Sequence, residues 1–476
     1  MKEGKLIHVM GTGSNAGKST IAMALCHIIS KKGYTVSPFK AMNMSLNSVS
    51  TGEGDEISRA QWLQAKACGI EPTWKINPIL LKPEGRGSSQ IIAKGKSLGK
   101  MGITEYGIFL SAEGRKIAAE TLEDLLSNYE YVIAEGSGSC AEINLYDRDI
   151  SNTWLTEKFS GTGILVVNIE DGGSFASLYG TKKLAQFGET LEYFIINNMR
   201  GDSSMLRKGI EFVEDNTGMK CLGIIPHVDG VSLPGEDSLD YRHSPGGNVG
   251  IVKYPQFENY SDLDPLRYTG NYRYIKSKED MAGIDSLILP GSKNVEYDME
   301  FMKNTGIWDS VLSHYNEGKK VMGICGGYQM LSHEIYDPDK IQIKSGHLKG
   351  MGILDCDFEY KLHKTVRPVK YEGSIDSAHF EGKGYEIRYG NIRRNADSPF
   401  LETDKGKEGS RNGNAIGTNI HGLLEENEML QWLTGMRLKK PYSEILMENI
   451  VRFSGIVSAN LNIEHFSHIL NGHRNS

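Results

Sequence analysis

The chain has 476 residues, 39% hydrophobic and 24% charged, with a formal net charge of −7. Its length exceeds one ordinary core and suits two or three domains, and its charge argues against nucleic acid as the main partner, because phosphate binding leans on a basic surface. No apolar stretch approaches a membrane span and residues 1–10 run straight into a strand pattern, so a cytoplasmic protein with no signal peptide and no membrane partner is expected.

The apolar run at 6–10 predicts a strand, and Gly11, Thr12, Gly13, Ser14, Asn15, Ala16, Gly17, Lys18, Ser19 and Thr20 follow it. A strand, a glycine-rich turn and a helix in that order cradle phosphate. The glycines let backbone N–H groups converge on oxyanions, the lysine neutralises phosphate charge and the hydroxyl reaches magnesium. Thr12 stands where the commonest motif has its first glycine, and Gly11 lies one residue further back, so this loop is one residue longer. The segment is expected to bind ATP; the plain alternative is a glycine-rich turn with a surface lysine. Lys40, closing the run 35–39, is a candidate to meet a transferring phosphoryl group or a substrate carboxylate. Asp55, Glu56 and Arg59 open a predicted helix through residue 67 and read as solvated first-turn charges.

The run 131–134 ends in Glu135 and then small residues. A carboxylate there sits at the carboxyl edge of a sheet, where parallel α/β proteins bind ligands. Glu135 is therefore a candidate Mg2+ ligand across from Ser19, with an ordinary loop carboxylate as the alternative. Further runs at 164–169, 193–197 and 222–226, separated by helical segments, predict a mostly parallel sheet with helices on both faces. Glycine, proline and charge then break the pattern. The expected division is a nucleotide-binding domain at 1–232, a linker at 233–247 and a second α/β domain at 248–476.

Strands are predicted in the second half at 248–253, 286–290, 321–324 and 415–420, with 397–414 a loop or exposed hairpin. In Gly323-Ile324-Cys325-Gly326-Gly327 a strand meets a sharp turn and a helix, with the thiol at the bend. A helix N-terminus favours the thiolate, so Cys325 is a candidate nucleophile. The other cysteines, Cys26, Cys68, Cys140, Cys221 and Cys356, form no C-x-x-C pair and read as reduced core thiols. Gly291 and Ser292, just past a strand, are the expected oxyanion donors. Among thirteen histidines, His421 is the preferred base, because it ends a strand beside Gly422. A site that activates with ATP and a thiol that can strip ammonia from glutamine, on one polypeptide, imply ATP-driven amidation of a carboxylate.

Several strings, in order along nearly the whole chain, resemble the cobyric acid synthase family, glutamine-dependent amidotransferases of cobalamin biosynthesis. They include Lys40-Ala41-Met42-Asn43-Met44-Ser45-Leu46-Asn47-Ser48, Asn77-Pro78-Ile79-Leu80-Leu81-Lys82-Pro83, Asp262-Leu263-Asp264-Pro265-Leu266 and Cys325-Gly326-Gly327-Tyr328-Gln329. The first half is similar to dethiobiotin synthetase. That resemblance implies a P-loop NTPase-type sheet, a role for Asn197 in holding adenine, and for Asp149 in holding metal or substrate. The second half is similar to triad-type, class I glutamine amidotransferases, which implies Cys325 and His421 as nucleophile and base. Those enzymes carry an acidic residue two positions after the histidine; here that place is Leu423, Glu425 lies further on, and the third member stays open.

The resemblance implies that a corrin carboxylic acid, glutamine and ATP are the small-molecule partners. The expected reaction is amidation of the b, d, e and g carboxylates of adenosylcobyrinic acid a,c-diamide. Ammonia must stay unprotonated between the two sites, which calls for a sheltered passage. Two alternatives are an a,c-diamide synthase acting one stage earlier, and a ParA-like ATPase with an inactive amidotransferase-like module. Oligomeric state is not legible.

Overall fold

The computed structural model describes residues 4–84, 87–234 and 247–471. β1 (Lys5–Gly11) is buried from its second residue onward, as a strand covered on both faces must be. It begins a six-stranded sheet with β2 (Val36–Phe39), β3 (Tyr131–Glu135), β4 (Thr162–Asn168), β5 (Leu191–Met199) and β6 (Lys220–Pro226). The order is β6-β5-β4-β1-β3-β2, every neighbouring pair parallel. The connection leaving β1 runs one way, to β2 beyond β3, and the connection leaving β3 runs the other way, to β4, which opens a crevice at their carboxyl ends. Register pairs Val9 with Glu135. The loop after β1 and the carboxylate ending β3 are thereby brought to one edge.

The second sheet is built the same way from β7 (Val249–Val252), β8 (Tyr272–Ile275), β9 (Ser286–Leu289), β10 (Lys320–Ile324), β11 (Ser410–Asn412) and β12 (Ala415–Thr418), in the order β8-β7-β9-β10-β12-β11. All pairs are parallel except β11 with β12. Its core runs through Ile251, Leu287, Ile288, Val321, Met322 and Ile416, each fully buried. A long antiparallel hairpin, Cys356–Ile375 with Ala378–Arg394, belongs to a separate sheet that ends on Ile420–His421. The expected α/β class with two domains is what the chain adopts.

The division into compact units differs from a single cut. The first unit comprises Met1–Met44, Ile57–Leu233 and Leu446–Ser476; the second comprises Ser45–Glu56 and Pro234–Ile445. Residues 235–246, most of the expected linker, lie outside the described residues. The chain returns to the first unit at its end, where Leu470 O accepts from Lys5 Nζ and Tyr131 Oη, both at 2.8 Å. The early excursion at Ser45–Glu56 is short and polar, yet Ser45, Asn47, Ser48, Thr51, Asp55 and Glu56 are all buried. Asp55, Glu56 and Arg59 are therefore not solvated first-turn charges, and this corrects the sequence expectation. The helix starts at Arg59 with Ser58 as its N-cap, Glu56 pairs with Lys364 Nζ at 2.6 Å, and the Arg59 guanidinium lies over the Trp62 ring. The segment 397–414, expected as a loop or exposed hairpin, carries Leu401–Thr403 and Gly406–Glu408 as a hairpin and also β11.

Candidate active sites

In the first unit the phosphate-type loop leaves β1 and enters α1 (Lys18–Lys31) through Gly17, whose φ of 94° lies in the left-handed region open to glycine. A Cβ there would also collide with Asn197 Nδ2, so both conformation and space demand glycine. Lys18 is buried with its ammonium held at the loop by Gly13 O at 2.7 Å and Gly138 O at 2.9 Å. Ser19, one position further, donates from Oγ to Glu135 Oε1 at 2.7 Å.

Glu135 is the hub of this site. Oε1 also accepts from Lys40 Nζ at 2.8 Å, and Oε2 from Gln61 Nε2 at 3.2 Å and Gln64 Nε2 at 2.6 Å. Asn43 ties this cluster together, its Nδ2 donating to Ser58 Oγ and Gln61 Oε1, each at 2.8 Å. Burying a carboxylate is costly unless it is paired and fully hydrogen-bonded, which these four donors achieve. Lys40 and Glu135 thus meet as expected of a phosphoryl site, whereas Gln61 and Gln64 were not singled out from sequence. They stand at i and i+3 on one helix, which brings both amides to one face.

The remaining first-unit candidates lie apart from Glu135 in their bonding. Asp149 turns its carboxylate onto its own loop, accepting from Ser151 N at 2.8 Å and Asn152 Nδ2 at 3.0 Å. Burial raises its pKa, while those bonds and Arg115 oppose the rise. Asn197 donates one amide hydrogen to Ala16 O at 3.1 Å, so it braces the loop from below. The cation-binding donors present fit magnesium: Ser19 Oγ and Glu135 Oε1 are hard oxygens that converge, and the Lys40 ammonium already rests on the same carboxylate oxygen. Among the described residues no cluster of three or more His, Cys, Asp or Glu is placed to hold a metal ion.

In the second unit Cys325 joins β10 to the helix α2 (Gly326–Leu331) with φ 50° and ψ −106°, a strained conformation for a residue with a side chain. Gly327 packs so closely that a Cβ would overlap Leu289 O, and Gly326 so closely that one would lie 2.6 Å from Ser292 N. The elbow is therefore pressed against the strand Gly291–Ser292, which pairs antiparallel with Phe257–Glu258. Lys293 N bonds Gln256 O at 2.8 Å. Alternation along such a ladder commits Gly291 N–H to Glu258 and turns Ser292 N–H outward, toward Gly326. Of the two expected oxyanion donors, Ser292 is the one whose N–H this ladder leaves uncommitted, and Gly326, first in its helix and packed against Ser292, was not singled out from sequence.

His421 is fully buried, with Nδ1 2.7 Å from Asp262 Oδ2, while Asp262 Oδ1 accepts Gly422 N at 2.8 Å. The open third position is thus filled by Asp262, not by Leu423 or Glu425. Burial alone would lower the imidazole pKa, but the Asp262 carboxylate and neighbouring Cys325 outweigh it, so His421 holds its proton well above the usual range. Asp262 sits in the string that carried the family resemblance, which was its only sequence signal.

Three further groups fix this site. The Tyr385 ring stacks on His421 with centroids 5.1 Å apart and planes at 19°. Asn259, left-handed at φ 53°, places Nδ2 3.4 Å from His421 Nε2. Asp298 accepts from Ser292 Oγ at 2.6 Å and Gln256 N at 3.0 Å, clamping the oxyanion strand; burial raises its pKa to about 7 against the pull of those two bonds. The Cys325 thiol points at Ile387 O, 3.7 Å away.

Comparison with known proteins agrees with both halves. Residues 7–239 match the CobQ/CobB/MinD/ParA nucleotide binding domain, and residues 248–429 match the CobB/CobQ-like glutamine amidotransferase domain. The chain is 48% identical over 471 residues to a probable cobyric acid synthase of Picrophilus torridus, covering 98% of this chain and 99% of that protein. It is 44% identical to a probable cobyric acid synthase of Thermoplasma acidophilum, covering 96% and 98%. To a cobyric acid synthase of Vibrio vulnificus it is 37% identical, covering 94% and 96%.

Proposed function

The chain belongs to the cobyric acid synthase family, and we propose that it converts adenosylcobyrinic acid a,c-diamide to adenosylcobyric acid by amidating the b, d, e and g carboxylates with ATP and glutamine. The observation that carries this reading is the coexistence of a complete Cys325–His421–Asp262 row with a complete phosphate loop facing Glu135.

A carboxylate does not accept ammonia in water without a better leaving group. Lys18 and Lys40 meet the ATP phosphates and the acid, stabilising negative charge as the γ-phosphoryl passes to the carboxylate oxygen and ADP departs. Ser19 and Glu135 would hold Mg2+, which supplies further neutralisation of phosphate charge when bound. Asn197, which donates one amide hydrogen to Ala16 O, would help hold the adenine, and Asp149 would assist metal or substrate binding. In the second unit the Cys325 thiolate attacks the glutamine carboxamide carbon. Ser292 N–H and Gly326 N–H stabilise the oxyanion, and the His421 imidazolium gives its proton to the leaving ammonia. Water, deprotonated by the now neutral His421, then releases glutamate from the thioester. Ammonia attacks the acyl phosphate carbonyl and phosphate leaves, giving the amide. ATP and glutamine are small molecules of the cell interior, which supports a cytoplasmic setting.

Incubating the full chain with ATP, Mg2+, glutamine and the corrin diamide, and following the corrin by mass spectrometry, tests the reading. Four added amides are expected. A corrin left unchanged with either glutamine or ammonia as nitrogen source would overturn it.

A further inference from the structure

Two helices of the first unit, Ser174–Leu184 and Arg207–Thr217, pack side by side on the sheet. Leu178 of one and Val213 of the other are buried with Leu165, Val167, Phe194 and Ile196 of β4 and β5. The two helices are pressed together, since a Cβ on Gly209 would lie 2.3 Å from the Phe175 ring. Their outer side keeps large apolar groups in water. Phe212 is 54% exposed, Tyr179 39%, and Met205, in the turn that leads into the second helix, 81%. The Tyr179 and Phe212 rings already meet, with centroids 6.2 Å apart. Adjoining exposed aromatic surface of this kind marks a contact site, because each ring gains by leaving water.

The charges around Phe212 identify the occupant. Lys208, Phe212 and Asp215 stand at i, i+4 and i+7, so they share one face of the helix, and all three are exposed. The helix has no acid in its first turn and no base in its last. Lys208 near its start and Asp215 near its end therefore run against the helix dipole, which favours the reverse. Glu211 and Asp215, one turn apart, repel each other. For the helix alone these charges are a cost.

A second copy of the same helix relieves both penalties. Placed antiparallel about a two-fold axis at Phe212, it brings its own Lys208 opposite Asp215 and Glu211 of the first, because Lys208 lies four residues before Phe212 and Asp215 three after it. A two-fold axis makes every such contact twice. The helix dipoles then oppose each other, and the two Phe212 rings meet with Tyr179 and Met205 around them. An apolar middle inside a charged rim is the usual anatomy of such an interface.

We propose that two copies of the chain associate through this face, the helix Arg207–Thr217 of one lying antiparallel to that of the other across Phe212. The face carries none of the residues assigned to either reaction site, so the proposal stands apart from the reading of the reaction.

Sedimentation equilibrium of the full chain over a range of concentrations tests it. The wild type is expected to reach twice the 52.7 kDa of one chain. Phe212→Asp is expected to raise the dissociation constant about 10-fold or more, the effect of losing a central aromatic anchor. Lys208→Glu sets acid against acid at both ends and weakens association as well, whereas Lys208→Glu combined with Asp215→Lys reverses both partners and restores it. These side chains are exposed, so each variant is expected to melt near the wild-type temperature; were Phe212→Asp to unfold, the charge exchange decides by itself. A wild type that stays at 52.7 kDa at every concentration, or whose association is indifferent to both Phe212→Asp and Lys208→Glu, overturns the proposal. Association lost in Lys208→Glu and not recovered in the double variant overturns the antiparallel pairing.

Discussion

The two sites are assembled in opposite ways. In the first unit the essential groups are consecutive: residues 11–20 form the loop, and one register pairing brings Glu135 beside it. In the second unit His421 and its carboxylate Asp262 are 159 residues apart, with Cys325 between them on a third element. A phosphate is recognised by main-chain N–H groups that one loop supplies, so its site is local in sequence. Proton transfer between thiol and imidazole, with a carboxylate orienting the ring, needs side chains at hydrogen-bond range, and any elements whose ends meet can supply them.

The most severe break of this comparison is a pair of substitutions, one per site. Cys325→Ser is expected to lower glutamine-dependent amidation by about 10³-fold or more while leaving ammonia-supported amidation intact, because only the nucleophile is lost. Lys18→Ala is expected to abolish amidation with either nitrogen source, since both need the transferred phosphoryl group. Parallel assays with glutamine and with ammonium chloride read both results. Equal losses from both sources in Cys325→Ser would show that the two sites are not separable.

Asp262→Asn sharpens the comparison one level out from the nucleophile. It is expected to cost about 10²–10⁴-fold in glutaminase kcat, by analogy with the orienting carboxylate of other triads. Asp262 is what holds the His421 proton well above its usual range. Without it His421 gives up its proton at lower pH, so the high-pH limb of glutaminase activity moves downward. An unchanged pH profile would place Asp262 outside the machinery.

The smallest expected effect is on stability. Burial raises Asp298 from 3.8 to about 7, so folding favours its protonated form. Wild-type stability is therefore drained as pH climbs from 3.8 through about 7 and the loss levels off above that. Asp298→Asn removes the titration. Its melting temperature relative to wild type is expected to rise across that interval, measured by thermal unfolding at a series of pH values, with a flat difference counting against a buried, raised carboxyl.

Legibility follows the same division. Gly11–Thr20 as a loop, Glu135 at a strand end and Cys325 at a tight elbow were visible because each depends on local pattern: apolar run, glycine, then a chemical group. Asp262 was visible only as part of a string, with nothing local to distinguish its carboxylate from that of Asp264. Gly326 N–H escaped notice because an oxyanion donor is a backbone atom with no residue preference of its own. Charge at residues 55–59 misled for a related reason: a first-turn carboxylate and a buried ion-pair partner have the same sequence, and only Lys364, some three hundred positions away, makes Glu56 the second kind.

By itself the order of residues determined that this chain has two parallel α/β sheets, a phosphate loop and a thiol at a helix start, because periodicity and turn chemistry act over a few residues. Tertiary structure alone decided that Asp262 faces His421, that Gln61 and Gln64 complete the shell of Glu135, and that residues 45–56 leave the unit on either side of them. Those outcomes depend on which distant surfaces bury together, and burial is a property of the folded whole.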